Sequence, residues 1–274
     1  MTSSFVRRAA DVPAYSPANH TGTANQRVIG RETVGARRVE VLLGTISRAH
    51  GALPHAHPNL EQASYLLQGE GIGESAGRSH MLRAGDWSFN PMGVFHRFEV
   101  VSEAPVRVMV VYAPPYSENP DAATVADGAN DPRCRVHADT VREVPMHAAA
   151  RSLPHYHGAL ARPVITRETV NARHLDICQL GVQASGGAEA HTVPGTEQVL
   201  FLQSGSISGE INGQGFTADS GDWVFVPEDG RFSFAALAGG CEAILVRAHD
   251  ASGRAGPRPA HQPSIDAKGT RRQP

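Results

Sequence analysis

The seven residues Gly85–Pro91 (GDWSFNP) recur as Gly221–Pro227 (GDWVFVP), 136 positions further along the chain. The same offset carries Arg31–Arg37 (RETVGAR) onto Arg167–Arg173 (RETVNAR). It also relates several shorter matches: Glu61-Gln62 to Glu197-Gln198, Gly69 to Gly205, and Phe98 to Phe234. One constant offset across about seventy residues indicates an internal duplication, so we expect two copies of one structural unit.

Each copy has the pattern of an all-β unit. The 28 glycines and 19 prolines are scattered along the chain and separate short apolar runs. Many short strands with frequent turn signals are typical of a sandwich or barrel, and a closed barrel removes exposed strand edges. In the first copy we expect strands over residues 38–47, 62–68, 71–75, 79–82, 87–90, 96–101 and 106–112.

The duplication predicts five segments. Residues 1–26 should form an N-terminal arm, 27–117 the first barrel and 162–250 the second barrel. Residues 118–161 are rich in Ala, Asp, Pro and His and should be a linker plus an arm that enters the second copy. Residues 251–274 carry almost nothing apolar and are expected to form a disordered tail.

Composition limits the classes of partner. The net charge of -2 and the absence of a basic block favour neither nucleic acid nor an anionic membrane. No run approaches the ~18 apolar residues of a membrane span, and Met1–Arg8 lacks the apolar stretch of a secretory signal. The 3 cysteines are widely spaced, which fits a reducing compartment. We therefore expect a cytoplasmic protein.

One constellation in the first copy has the chemistry of a metal site. His55 and His57 are two residues apart, so an extended backbone places both imidazoles on one face. Gln62 starts the next predicted strand, and His96 follows the turn at Pro91–Gly93. Three imidazoles and an amide oxygen suit one divalent transition metal. The ligand types do not distinguish among Mn, Fe, Ni, Co and Zn. Because these ligands are uncharged, the site should attract an anionic substrate.

The two runs that carry these residues resemble the two sequence motifs of the cupin superfamily. The runs are His55-x-His57-x4-Gln62-x6-Gly69 and Gly85-Asp86-x4-Pro91-x-Gly93-x2-His96. The resemblance implies an all-β bicupin, with two tandem cupin barrels of the double-stranded β-helix or jelly-roll type. It also implies a homo-oligomer, in the first instance a dimer. The fourth ligand position of these motifs is usually Glu, and here it is Gln62.

The second copy lacks a full ligand set. In repeat register its four positions are His191, Val193, Gln198 and Phe232, two of which are apolar. We therefore expect a degenerate metal site in the second barrel.

Four further residues are candidates for substrate contacts in the first barrel. Strand alternation points Ser64 and Phe98 into the same cavity as the metal ligands. Arg48 and Arg97 lie near the site in sequence, and either could hold a substrate carboxylate. The pattern does not name a general acid or base.

Three functional classes remain open. The first is a metal-dependent hydrolase, isomerase or lyase acting on a small anionic carboxylate or ureide. In its favour, the three-His, one-Gln set of this chain is similar to that of cupins that open unsaturated uronate sugars. In size and duplication the chain also resembles the manganese-binding ureidoglycine aminohydrolases, whose ligands lie in the second barrel. The second is a non-haem Fe(II) dioxygenase similar to the bicupin gentisate dioxygenases. The third is a non-enzymatic ligand-binding cupin.

Overall fold

The structure is a computed structural model that describes residues 5–17, 20–117, 119, 122–128, 130–135, 142–145 and 147–251. Two antiparallel β-sheets carry most of the regular structure of these residues. The tail predicted at 251–274 lies, apart from its first residue, outside the described residues. So do parts of the predicted linker at 118–161.

The first sheet contains ten strands, numbered along the chain. They are β2 (Ala14–Tyr15), β3 (His20–Ile29), β4 (Glu40–Ala56), β5 (Glu61–Gln68), β6 (Glu70–Ser75), β7 (Arg78–Arg83), β8 (Trp87–Asn90), β9 (His96–Val100), β10 (Val106–Ala113) and β11 (Thr124–Val125). The order β8-β5-β10-β4-β3 forms one part of the sheet, and β7-β6-β9 pairs with the far end of β4. This arrangement places the end of β4 and the starts of β5 and β9 close together.

The second sheet repeats this order with longer strands. Its members are β1 (Val6–Arg8), β12 (Tyr156–Ile165), β13 (Leu175–His191), β14 (Thr196–Ile211), β15 (Gln214–Asp219), β16 (Asp222–Val226) and β17 (Phe232–His249). The order β16-β14-β17-β13-β12 matches β8-β5-β10-β4-β3 of the first sheet. The all-β, duplicated fold expected from the sequence is thereby confirmed.

The N-terminal segment contributes to both sheets. Strand β1 pairs with β16, with Val6 opposite Val224, whereas β3 pairs with β4 of the first sheet. The chain therefore crosses from the second sheet to the first within its first twenty-nine residues. The five-segment division itself stays a prediction.

The repeated RETV segments form one-turn helices, α1 (Arg31–Val34) and α2 (Arg167–Val170). Both end on a left-handed residue, Gly35 at φ 76° and Asn171 at φ 61°, residue types that adopt this conformation most readily. No helix in the described part of the chain is both long and apolar enough to cross a membrane.

The two barrels pack together through a shared cluster of buried hydrophobic residues. A single cluster of buried side chains takes residues from both sheets, including Trp87 and Phe89 from the first and Trp223 and Phe225 from the second. These repeated aromatic residues therefore pack between the barrels, which is where the sequence repeat is strongest. The interface resembles a domain interior, so the two barrels should unfold together.

Two buried carboxylates add reciprocal hydrogen bonds across this interface. Glu61 accepts the backbone N–H groups of Arg173 and His174 at 2.7 and 2.8 Å. Glu197 occupies the same place in the second copy and accepts the N–H groups of Arg37 and Arg38, both at 2.8 Å. The repeated Glu-Gln pair thus has divided roles, because Glu61 binds the other barrel while Gln62 faces the interior of its own.

Candidate metal centre and its cavity

Three imidazoles meet where β4 and β9 pair. His55, near the end of β4, lies directly opposite His96, the first residue of β9, and His57 follows two residues later. The ring centroids of His55 and His96 are 4.4 Å apart, and those of His55 and His57 are 4.9 Å apart. One ring nitrogen from each residue lies within 4.8 Å of the other two. Cross-strand pairing and strand alternation therefore bring the three predicted ligands together.

Each imidazole is anchored through the same nitrogen. The Nδ1 atoms of His55, His57 and His96 contact the backbone carbonyls of Leu53, Ala122 and Val94 at 2.7, 3.1 and 3.0 Å. A carbonyl only accepts, so each Nδ1 carries the proton and each neutral ring keeps its lone pair on Nε2. Carbonyl anchoring of this kind orients and fixes the tautomer of metal-binding histidines.

The free nitrogen of His57 supports this reading. His57 is 3% exposed, and its Nε2 atom is buried without a hydrogen-bond partner among the described residues. A buried lone pair with no donor is costly, and a bound cation would satisfy it. The donor set and this orphaned atom fit a divalent transition metal.

Burial keeps the three rings in the neutral, metal-binding form. Desolvation lowers the pKa of His55 to about 4 and also lowers the pKa of His57. The pKa of His96 lies well below its usual value, chiefly because of burial and then because of the neighbouring His55. All three rings are therefore neutral imidazoles near neutral pH.

Gln62 joins the histidines from β5. Its Oε1 atom lies 3.0 Å from Nε2 of His96, and its amide nitrogen donates to Ser64 Oγ at 3.4 Å. Because His96 already donates from Nδ1, its Nε2 and the amide oxygen are two electron-rich atoms facing each other. A cation held between such atoms would stabilise them, so the amide oxygen of Gln62 could act as a fourth, uncharged ligand.

A cavity of about 380 Å³ opens beside the three histidines inside the first barrel. Ser64, Phe98 and Arg97 line it, as strand alternation predicts for the first two. Arg97 donates two hydrogen bonds to Glu74, at 2.8 and 2.5 Å, so its charge is paired within the cavity wall.

Arg48 is not brought to this cavity. Its guanidinium is exposed and pairs with Glu103 on the surface. This geometry therefore gives no support to a contact between Arg48 and a substrate carboxylate. Arg48 is close to the ligands in sequence, but its partner Glu103 is distant in sequence and holds it on the surface.

Three lining residues were missed by sequence reasoning. His20, which neither sequence motif contains, lines the cavity with its ring centroid 6.2 Å from that of His55. Asn90 pairs with Gln62 across β8 and β5, and Tyr112 pairs with Gln62 across β10 and β5. These residues reach the cavity because their strands pair with β4 and β5, and the sequence of one strand does not show which strands it pairs with.

The second barrel keeps only part of the ligand set. His191 retains the carbonyl anchor, to Glu189 at 2.8 Å, and its buried Nε2 has no hydrogen-bond partner in the described structure. Phe232 is fully buried at the position of His96, and Gln198 accepts a hydrogen bond from Arg247 at 3.0 Å. Within the part of the chain that the structure describes, His55, His57 and His96 form the single group of three potential metal ligands.

The comparisons agree with this architecture. Residues 43–112 match the family described as the cupin domain. The solved structure of a putative glyoxylate-induced protein from Pseudomonas aeruginosa is 13% identical with a TM-score of 0.67, covering 90% of each chain. Oxalate decarboxylase from Bacillus subtilis is 14% identical with a TM-score of 0.63, covering 91% of this chain and 77% of that one. The coconut allergen cocosin is 12% identical with a TM-score of 0.63, covering 87% of this chain and 85% of its own.

These matches define the class of protein. No curated protein sequence matches the chain significantly. At such low identities the structural matches show the fold alone, and that fold is the cupin barrel in duplicate. Residues 43–112 match the cupin domain, and the described chain has the duplicated cupin fold that the sequence motifs predicted.

Proposed function

We propose that this bicupin is an enzyme that holds one divalent transition metal in its first barrel. His55, His57 and His96 are the main ligands, and Gln62 is a weaker fourth ligand. The observation that carries the proposal is the shared carbonyl anchoring of the three Nδ1 atoms, which leaves Nε2 as the metal-binding nitrogen of each ring in a group whose ring nitrogens lie within 4.8 Å of one another. A purely structural cluster has no need for three rings in the same tautomer.

The charge balance of the site favours an anionic substrate. Three neutral imidazoles and an amide leave a bound divalent cation uncompensated. Arg97, the charged wall residue that follows His96 on β9, is already paired with Glu74. A carboxylate or ureide oxygen would therefore be drawn to the metal.

The reaction we propose is non-redox: hydrolysis, isomerisation or elimination. A metal here supplies Lewis acidity, polarising a substrate carbonyl or carboxylate. The residues of the chain position the substrate, since Ser64 and Asn90 line the cavity beside Gln62. An amide in place of the usual acidic ligand leaves more positive charge on the metal, which strengthens this polarisation.

Metal analysis followed by turnover assays tests the proposal. Protein purified without chelators would be analysed for metals and then assayed, with and without oxygen, against carboxylates, ureides and diols. Turnover that is the same under nitrogen as in air is the expected result. Iron together with substrate-dependent oxygen uptake would instead establish a dioxygenase. Stoichiometric metal with no turnover on any class would favour a ligand-binding cupin.

The oligomeric state belongs to the same proposal. We expect a homodimer, which light scattering on the purified protein would measure. A monomer would remove this part of the proposal without affecting the metal site.

A further inference from the structure

The interiors of the two barrels differ although their folds match. The interior of the second barrel is filled by one hydrophobic cluster of nineteen buried residues. In the first barrel the interior apolar residues form two smaller clusters around the cavity of about 380 Å³. The duplicate therefore shows what the same barrel looks like when side chains fill it.

The difference can be traced to single positions. The cavity-lining residues Ser64, Ser88, Asn90, His80 and His96 correspond, at the 136-residue offset, to five apolar residues of the filled barrel. These are Leu200, Val224, Val226, Phe216 and Phe232, all members of its buried cluster. Protein interiors pack tightly and voids cost stability. The open space of the first barrel is therefore expected to bind a ligand.

The walls of this space are mostly apolar away from the metal ligands. Six apolar lining residues come from β4, β5, β9 and β10: Leu42, Ile46, Leu66, Phe98, Val108 and Val110. The polar groups Gln62, Ser64 and Asn90 lie together at the paired ends of β5 and β8, near the histidines. Charged lining residues such as Glu74, Arg78 and Arg97 lie on β6, β7 and β9. The polar groups beside the metal ligands and the apolar side chains of β4, β5 and β10 therefore line different parts of the cavity.

We propose that the occupant is an amphipathic carboxylate, with its charged head at the metal ligands and an aliphatic or aromatic body against these apolar walls. This proposal rests on the proposed function and narrows its substrate class. A volume of about 380 Å³ lies within the range of small-ligand pockets, about 300–1,000 Å³. A two-carbon dicarboxylate would leave most of that space as water against apolar side chains.

Calorimetric titration of the Mn²⁺-loaded full chain with acetate, butyrate, hexanoate, phenylacetate and oxalate tests the proposal. Affinity should increase up to about fourfold for each added methylene, the factor for burying one CH2 group, until the cavity is full. Phenylacetate should also bind more tightly than acetate. Affinity that is flat along the series, or oxalate binding more tightly than hexanoate, would overturn the proposal.

Two cavity-filling variants locate the binding. Val108 lies on β10 opposite Leu66, four residues before Tyr112 and away from the metal ligands. Val108→Phe should weaken hexanoate binding at least tenfold while leaving acetate affinity and metal content unchanged. Ile46→Phe, at another apolar lining residue, should have the same effect on hexanoate and serves if Val108→Phe does not fold. The control is Leu237→Phe, a change at an exposed apolar residue of the second barrel. It should leave hexanoate affinity, acetate affinity and metal content unchanged.

The outcomes separate this proposal from the proposed function. Metal binding with no dependence on chain length removes the amphipathic ligand and leaves the metal enzyme. Chain-length-dependent binding to a protein that holds no metal removes the metal enzyme and leaves the apolar pocket. Hexanoate binding that neither cavity variant weakens would place the ligand elsewhere and overturn the proposal.

Discussion

Replacing Glu197 with Ala should destabilise the protein by about 3 kcal/mol, because this carboxylate connects the two barrels. It is 2% exposed and accepts backbone N–H groups from Arg37 and Arg38 at 2.8 Å and from Val39 at 3.2 Å. The alanine would leave these donors without their partner inside the interface.

The magnitude follows from the two shorter bonds. A hydrogen bond to a charged group contributes about 1.5–3 kcal/mol, so two of them give about 3–6 kcal/mol. The lower end applies because burial raises the pKa of Glu197, which means that the ionised carboxylate already bears a desolvation cost. For a chain of this size, about 3 kcal/mol corresponds to a fall in Tm of about 6–12 °C.

Thermal unfolding followed by circular dichroism measures this change. Glu197→Gln keeps one acceptor oxygen and should lose about half as much stability. Glu103→Ala is the control, because Glu103 is 86% exposed and surface ion pairs contribute at most about 1 kcal/mol. If Glu197→Ala and Glu103→Ala have the same Tm, the reciprocal hydrogen bonds do not stabilise the interface.

Three further predictions concern the two barrels separately. Gln62→Glu should tighten metal binding at least tenfold in chelator competition and weaken carboxylate binding, because it removes one positive charge from the site; unchanged affinities would mean that Gln62 is not a ligand. Phe232→Ala should destabilise the protein by about 3–5 kcal/mol in denaturant titration while metal content stays constant, since it opens a void in the filled barrel; lost metal would contradict that separation. Arg97→Ala should weaken carboxylate binding by leaving Glu74 unpaired in the cavity wall, whereas Arg48→Ala should have no effect in the same titration; equal effects of the two would show that cavity position is irrelevant.

The positions of the strands and the fold could be predicted from the sequence because both depend on local patterns. The repeat offset and the glycine and proline turns predicted most strands of the first sheet to within a few residues. The exception was the first of these, predicted at 38–47 but observed as Glu40–Ala56. Its second half contains Gly51 and Pro54, which interrupt the alternating pattern, and its register with β9 shifts between Ala52 and His55.

Partners across the fold could not be predicted, because they depend on how distant segments meet. Strand alternation places Glu61 and Gln62 on opposite faces, but the partners of Glu61, Arg173 and His174, lie in the other barrel. His20 faces the cavity only because β3 pairs with β4. The three carbonyl anchors of the histidines depend on backbone geometry and had no sequence signal.

Metal stoichiometry in paired variants tests the central claim most directly. His57→Ala removes a buried ligand from the first barrel, and His191→Ala removes the one histidine that the second barrel keeps at the equivalent ligand positions. Elemental analysis should find one metal per chain in the unmodified protein and in His191→Ala, and far less than one in His57→Ala. Two metals per chain, or loss of metal from His191→Ala with retention in His57→Ala, would contradict a single metal centre in the first barrel.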